Sequence, residues 1–347
     1  MKKVFVGMSG GVDSSLTAAL LVEQGYDVTG VYMKNWTQDL PGMRCPWADD
    51  LADAKRVAVQ LGIDFRVVDF EKEYRHKVVH YMIDEYRAGR TPNPDIMCNQ
   101  KVKFKLFLEL ALEQGADMIA TGHYARTITV SPTVANLAKA ADENKDQTYF
   151  LYRVTGAALA HTLFPLGDFT KPEVRRMAEA RGLYTAAKKD SQGICFVGQI
   201  GMREFLGQYV ETKPGAIIDQ ANNQVLGSHD GAIYYTLGQR HGLDVGGGLP
   251  YYVVGKDMEK NEVYVSTNLN NQHLWRKDLQ LASLHWITEP PADGASVSVR
   301  IRHRAPLVPA TLQGDFLHID EAQRAVTPGQ SVVVYSDEIC LGGGIVV

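Results

Sequence analysis

The run Gly7-Met8-Ser9-Gly10-Gly11-Val12-Asp13-Ser14 constrains this chain more than any other stretch of it. It follows a short apolar run, Val4-Phe5-Val6, and precedes helix-compatible residues from Ser15 to Gln24. The order is strand, tight glycine turn, helix start. Such a turn aims backbone N–H groups and the positive end of a helix dipole at one point, which suits an anion and above all a phosphate chain. Ser9 and Ser14 add hydroxyl donors. The loop holds no lysine, so it is not the G-x-x-x-x-G-K-[ST] loop of phosphoryl transfer. The G-x-G-x-x-G spacing of a dinucleotide turn is also missing. Taken alone, a Gly-Gly turn after a strand can equally be structural.

At 347 residues the chain is too long for one ordinary domain. A hydrophobic share of 45% and a charged share of 22% describe a soluble globular protein. No apolar run approaches 18 residues, so no membrane span is expected. Strand-forming residues begin at Val4, so no leader is expected and a cytoplasmic location follows. Net charge is −4 and the pI about 6.2, so a nucleic-acid partner would need a local basic patch. The four cysteines (Cys45, Cys98, Cys195, Cys340) are too few for a disulfide framework, and none forms C-x-x-C.

The first half alternates strand and helix: strands at Val4–Val6, Val28–Tyr32, Phe65–Val68 and Met118–Thr121, helices over 50–61, 73–87 and 103–114. That rhythm predicts a parallel sheet with helices on both faces. Ligands in such sheets lie beyond the carboxyl ends of the strands, where Gly7 and Thr121-Gly122-His123 both stand. Residues 127–147 read as a surface loop or short arm, and a helix is expected near 173–181. After about residue 205 helical periods fade. Short strand-like runs (233–236, 251–254, 263–266, 296–301, 307–312, 331–335) separated by turn signals such as Asn222-Asn223 predict two small β parts, the last a barrel or sandwich, divided near Asn271. The expected domains are 1–204, 205–271 and 272–347.

Two further segments carry chemistry. Arg90-Thr91-Pro92-Asn93-Pro94-Asp95-Ile96-Met97-Cys98-Asn99 reads as a rigid extended chain between helices, with Asp95 and Cys98 able to share one site. Equally, Asp95 could cap the next helix and Cys98 pack inside. In Lys188-Lys189-Asp190-Ser191-Gln192-Gly193-Ile194-Cys195-Phe196, nearby lysines would favour the Cys195 thiolate, or Cys195 could be an ordinary half-buried residue. Arg300, Arg302 and Arg304 alternate along a presumed strand, which would align three guanidinium groups for phosphate, or for a solvated edge. Lys101 and Lys105 make a second candidate patch.

The string S-G-G-V-D-S resembles the pyrophosphate loop of the ATP pyrophosphatase superfamily. With T-P-N-P-D-x-x-C-N, D-S-Q-G-I-C-F, Gly122-His123-Tyr124-Ala125, Lys145-Asp146-Gln147-Thr148-Tyr149, Tyr235-Thr236-Leu237-Gly238-Gln239-Arg240 and Cys340-Leu341-Gly342-Gly343-Gly344, the chain resembles the tRNA-specific 2-thiouridylases over essentially its whole length. The resemblance implies an adenine-nucleotide α-hydrolase-like α/β domain before the two β domains. It implies ATP-dependent adenylation of the wobble uridine O2, then sulfur transfer to C2. By resemblance, Cys195 carries a persulfide supplied by a sulfur-relay protein or cysteine desulfurase, Cys98 closes a disulfide with Cys195, and Asp95 is the general acid/base. ATP contacts are expected from Gly7, Met8, Ser9, Gly10, Gly11, Val12, Asp13, Ser14, Met33 and Gly122, with Asp13 the carboxylate for Mg²⁺. The implied tRNA contacts are Asn93, Pro94, Asp95, His123, Lys145, Asp146, Gln147, Arg302, His303 and Gln330. An iron–sulfur cluster is left open, with one Asp and two Cys as incomplete ligands. Cys45 and Cys340 match no catalytic role and are expected to be structural.

The rivals are other adenylating enzymes with the same loop, such as an amidotransferase-linked synthetase or a tRNA lysidine synthetase, which need neither Cys98 nor Cys195. A non-enzymatic ATP-gated RNA-binding module is another. A 4-thiouridine synthetase does not fit the segment around Asn93–Cys98.

Overall fold

The computed structural model describes residues 1–39, 45–189, 201–246 and 248–347. The first strands are β1 (Lys3–Gly7), β2 (Asp27–Lys34), β3 (Asp64–Asp69), β4 (Met118–Ala120), β5 (Arg126–Ser131), β6 (Val134–Ala138) and β7 (Thr162–Leu163). Five of them form a parallel sheet in the order β3-β2-β1-β4-β7. Val4, Phe5 and Val6 are fully buried because helices cover both faces, which is why β1 is a continuous apolar run without alternation. Helix α1 (Val12–Glu23) crosses from β1 to β2, and α2 (Trp47–Leu61) from β2 to β3. Gly62, at φ 67°, ends α2 in the left-handed conformation that glycine adopts without strain. The strand order turns back between β1 and β4. A crevice opens there beyond their carboxyl ends, where open α/β sheets take ligands.

Two expectations for this part need correction. The helix expected from Lys103 begins at Pro94 and runs over 94–113, with a wider π-type stretch over Asn99–Leu106. Proline fits the first helical turn, where its missing N–H has no intrahelical partner anyway, and the Asn93 side chain accepts from the Asp95 N–H at 3.2 Å. Only the chain before Pro94 is extended. Residues 127–147 are not a surface loop throughout, because β5 and β6 form a hairpin. Alanines and a single leucine give little apolar signal. Yet Ala135, Leu137 and Ala138 are buried, because β6 pairs with a strand some 200 positions further on.

A mixed sheet follows, in the order β10-β11-β8-β9, from β8 (Gly215–Asp219), β9 (Val225–His229), β10 (Tyr252–Asp257) and β11 (Glu262–Ser266). The run 233–236 is no strand; Ala232–Tyr234 makes a short 3₁₀ turn. The last part holds β12 (Trp275–Trp286), β13 (Ala295–Arg300), β14 (Val308–Gln313), β15 (Phe316–Arg324), β16 (Ser331–Ser336) and β17 (Ile339–Val346). They pair antiparallel in the order β12-β15-β14-β13-β16-β17, and β12 closes on β17 to give a six-stranded barrel. Alternate residues such as Val297, Val299, Leu317, Ile319, Val332 and Val334 fill its interior.

The barrel is not a separate appendage. The β5–β6 hairpin extends its sheet at β17, and one apolar cluster includes Phe5, Val102 and Tyr149 together with Val333, Tyr335 and Cys340. A buried polar network crosses the same boundary. Asp146, 2% exposed, accepts from the Ala140 N–H at 3.1 Å, the Thr148 hydroxyl at 2.8 Å and the Arg300 guanidinium at 2.8 Å. The Tyr149 hydroxyl donates to the Ser331 carbonyl at 2.9 Å. Among the described residues, no helix is long and apolar enough to cross a membrane.

Candidate active site

Beyond β1 and β4 lies a cavity of about 490 Å³. Its floor is the Gly7–Ser14 turn. Gly10 has φ +76°, and a Cβ there would overlap the Asp50 carbonyl oxygen, so the sequence requires glycine twice over. Gly11 precedes α1 in extended conformation without a side-chain cap, so the first N–H groups of α1 point toward the cavity. The Ser14 hydroxyl accepts from the Ser9 N–H at 3.2 Å and donates to the Gly11 carbonyl at 3.2 Å, which closes the turn on itself. Gly122, also in the lining, packs against this turn. A Cβ there would come within 2.8 Å of the Asp13 and Ser14 backbone, so the close approach it permits is to the loop.

Asp13 faces two donors. The Lys171 ammonium lies 2.7 and 2.8 Å from its two carboxylate oxygens, and the Tyr124 hydroxyl donates to it at 2.9 Å. Lys171 begins the Lys171–Ala180 helix, and its backbone N–H donates to Asp142 at 2.9 Å. Lys171 stands in an unremarkable stretch of the sequence and is not among its candidate residues, and Tyr124 enters there only within the Gly122–Ala125 motif. A single carboxylate beside a phosphate turn suits Mg²⁺, an ion held mostly by substrate oxygens and water. Among the described residues no group of three or more His, Cys, Asp or Glu could hold a metal by itself.

Met33, near the end of β2, lines the cavity with Asn35, Trp36 and Trp47. On the far side stand Asp95 and Asn99 from the 94–113 helix, then Thr121, Gly122, His123, Lys145, Gln147, Phe150, Lys189, His303 and Arg304. Cys98 is 1% exposed, one turn into the 94–113 helix. Among the described residues, the buried side-chain atoms Asn35 Oδ1, Asn99 Oδ1 and His303 Nδ1 of the lining have no hydrogen-bond partner. The Asn99 amide group donates to the Phe150 carbonyl at 3.0 Å, which fixes its orientation. Such orphaned atoms are rare in folded proteins, and their presence in one cavity suits a polar ligand.

The expected RNA contacts divide. His123 and His303 line the cavity, but neither is a cation at neutral pH. Burial, then Lys103, holds the His123 imidazole well below its usual range. His303 is held down to about 4 by burial first, then by Arg304 and Arg300. His303 lies against Phe150 with ring centroids 4.5 Å apart, an arrangement suited to stacking. Gln147 accepts from the Tyr124 N–H at 2.9 Å and so ties the 145–147 turn to the end of β4. Asp146 faces inward, as described, and offers no carboxylate to a ligand. Gln330 lies outside the cavity lining and donates to the Thr91 carbonyl at 2.7 Å. The row of three arginines is not formed. β13 ends at Arg300, which is buried against Asp146; Arg302 donates to the Arg324 carbonyl at 2.6 Å, and Arg304 sits at φ 62° in a turn. Lys101 is held below its usual range by burial, then by Arg153, Lys105 and Lys77, so these cations share one face of the molecule.

Burial pushes the Cys45 and Cys340 thiols up, and both stay protonated and inert. Cys195, and with it the Cys98–Cys195 pairing and the question of a cluster, lies outside the described residues.

Three family models tile the chain: a tRNA methyl transferase HUP domain over residues 2–199, a tRNA methyl transferase PRC-barrel domain over 203–267, and an aminomethyltransferase beta-barrel domain over 276–346. The chain is 48% identical over 357 residues to the tRNA-specific 2-thiouridylase MnmA of Idiomarina loihiensis, covering 99% of this chain and 96% of that protein. It is 47% identical over 351 residues to tRNA-specific 2-thiouridylase MnmA 2 of Geobacillus kaustophilus, covering 99% and 94%. It is also 47% identical over 358 residues to the enzyme of that name from Pseudomonas syringae, covering 100% and 94%.

Proposed function

The chain belongs to the tRNA-specific 2-thiouridylase family, and on that premise we propose that its cavity holds ATP at the glycine turn and the target uracil against the 94–113 helix. The protein is an ATP-dependent tRNA 2-thiouridylase. The observation that carries the assignment of residues is that one cavity is lined both by Gly7–Ser14 and by Asp95, Lys145, Gln147 and His303.

At the nucleotide end, the backbone of Gly10–Ser14 and the start of α1 bind the phosphates. Asp13 would hold Mg²⁺ together with them, and the ion would screen the charge of the departing pyrophosphate. Met33 packs the adenine. At the other end, Asp95 takes the uracil N3 proton as O2 attacks the α-phosphorus. Pyrophosphate leaves, and the base carries AMP on O2. The terminal sulfur of a Cys195 persulfide then attacks C2 and AMP departs. The Cys98 thiolate attacks the Cys195 sulfur, releasing 2-thiouridine and leaving a Cys98–Cys195 disulfide for an external reductant. A relay protein or desulfurase supplies the persulfide sulfur. The target base must leave its stack to enter such a cavity, and neutral His303 with Phe150 offers a surface to receive it. Lys101, Lys105, Lys77 and Arg153 would meet backbone phosphates. The three domains divide at 204/205 and 271/272.

Two of the matched family models bear the name of methyl transfer, whereas the similar proteins are thiouridylases. Methyl transfer would not need an ATP-splitting turn facing Asp95, and that arrangement favours thiolation. Mass spectrometry of tRNA nucleosides after incubation with protein, ATP-Mg²⁺, cysteine and a cysteine desulfurase tests it. New 2-thiouridine that disappears in Cys195→Ala supports the assignment. AMP and pyrophosphate without thiolated nucleoside, even with a sulfur-relay extract, would mean that the acceptor is wrong.

A further inference from the structure

The short extended segment before Pro94 is gripped by both β domains. Its Thr91 N–H donates to the Pro328 carbonyl at 2.9 Å, and its Thr91 carbonyl accepts from the Gln330 amide at 2.7 Å. Between these two bonds Gly329, at φ +89°, lies so close that a Cβ would stand 2.8 Å from the Thr91 nitrogen and 2.9 Å from Arg90 Cβ. From the middle domain, the Thr236 hydroxyl meets the Thr91 hydroxyl at 3.3 Å. Two residues after Thr91, Asn93 caps the helix that carries Asp95 and Cys98. A displacement of Thr91 is passed on with little slack, because Pro92 and Pro94 fix two backbone torsions in between.

We propose that the Pro328–Gln330 turn of the barrel is a positioning clamp for the Asp95–Cys98 helix start, and that Gln330 acts on the reaction through Thr91. This deepens the thiolation reading and rests on it. It gives the barrel a part in catalysis besides RNA contact: whatever the RNA does to the β15–β16 turn reaches the reacting residues through two hydrogen bonds to Thr91, one from backbone to backbone and one from the Gln330 side chain. One N–H of the Gln330 side-chain amide is committed to the Thr91 carbonyl.

The test compares wild type, Gln330→Ala, Gly329→Ala and Thr236→Val in steady-state thiolation with tRNA and ATP varied separately. A second readout is the iodoacetamide modification rate of Cys98, with the inert Cys340 as the check against global unfolding, followed by peptide mass mapping. The clamp predicts that kcat falls about tenfold in Gln330→Ala and more in Gly329→Ala, with KM for tRNA and for ATP within twofold of wild type. An ångström of misplacement is enough for a loss of that size. Thr236→Val, losing the weakest contact, should fall least. The clamp also predicts that Cys98 modification quickens severalfold in the first two variants while Cys340 does not change. A raised tRNA KM with unchanged kcat would make Gln330 an RNA contact and overturn the proposal, as would wild-type kinetics in both variants. The Cys98 rate decides even if wild type forms no 2-thiouridine: that result would sink the assignment of function, while an unchanged Cys98 rate would sink the clamp.

Discussion

The two ends of the cavity are built by different means. The nucleotide end is local: one strand, one turn and one helix start, contiguous from Lys3 to Glu23, with backbone groups as the binding surface. The base end is assembled from the 94–113 helix, the 145–150 turn and the barrel residues His303 and Arg304, brought together by side-chain contacts over some 200 positions. A mostly local backbone site survives most distant changes and fails chiefly when its own geometry is spoiled; its long-range ties are the Lys171 and Tyr124 contacts to Asp13. A site assembled from afar depends on every junction that brings its parts together.

Asp146→Ala should separate the ends most. It leaves the buried Arg300 guanidinium without its carboxylate, a loss of about 3–5 kcal/mol in stability. A urea midpoint will show it, and ATP affinity of the protein that remains folded should stay near wild type. Weakened tRNA binding with no loss of stability would instead make Asp146 an RNA contact. Gly10→Ala should do the reverse. The left-handed backbone and the overlap with Asp50 together cost about 2–4 kcal/mol, read as a loss of ATP affinity by calorimetry with tRNA affinity little changed. Equal losses of both affinities would erase the distinction.

Smaller effects sharpen it. Lys171→Met leaves the Asp13 carboxylate beside the triphosphate with its ammonium partner gone. ATP KM should rise about tenfold, or about 1.4 kcal/mol, with tRNA KM unchanged. The smallest effect is a pH dependence at the base end. His303 titrates near 4 in the folded protein but near the ordinary histidine value when unfolded, so between those values the unfolded chain binds more protons. Stability therefore falls as pH drops from about 6.5 toward 4. His303→Asn should recover about 1 kcal/mol of that loss at pH 5, after allowing for solvent at a half-buried ring, measured as urea midpoints at pH 7 and pH 5. A variant whose midpoint falls with acid as steeply as wild type would refute the assignment.

The same contrast decides what could be read from the sequence. The turn from Gly7 to Ser14 announces itself because glycine, serine and an apolar strand are themselves the geometry. Four of the five strands of the parallel sheet were legible because each carries its own apolar run; the two-residue β7 carries none and was not. The barrel expected at the end of the chain is present. The β5–β6 hairpin was not legible, since its burial comes from β17 and its own residues are small. Nor was the role of Arg300, whose alternation with Arg302 and Arg304 looked like a strand face until β13 ended and Asp146 claimed it. Lys171 gave no signal, because what matters about it is a partner far off in sequence. The expectations for Asp95 and Cys98 came from resemblance, and the fold sets them one helical turn apart, Asp95 on the cavity wall and Cys98 buried.

The pairing of β6 with β17 also sets an order of events in time. A ribosome adding about 5–20 residues per second finishes the hairpin at Ala138 and needs roughly 10–40 s more to reach Ile339, its first partner in β17. Through that interval the hairpin edge, the Thr148 hydroxyl and the Asp146 carboxylate wait for groups not yet made. The phosphate turn, by contrast, has all its parts as soon as α1 emerges and needs only β2 and β4 beside it. During synthesis the nascent protein should therefore acquire a nucleotide pocket well before it acquires a place for the base.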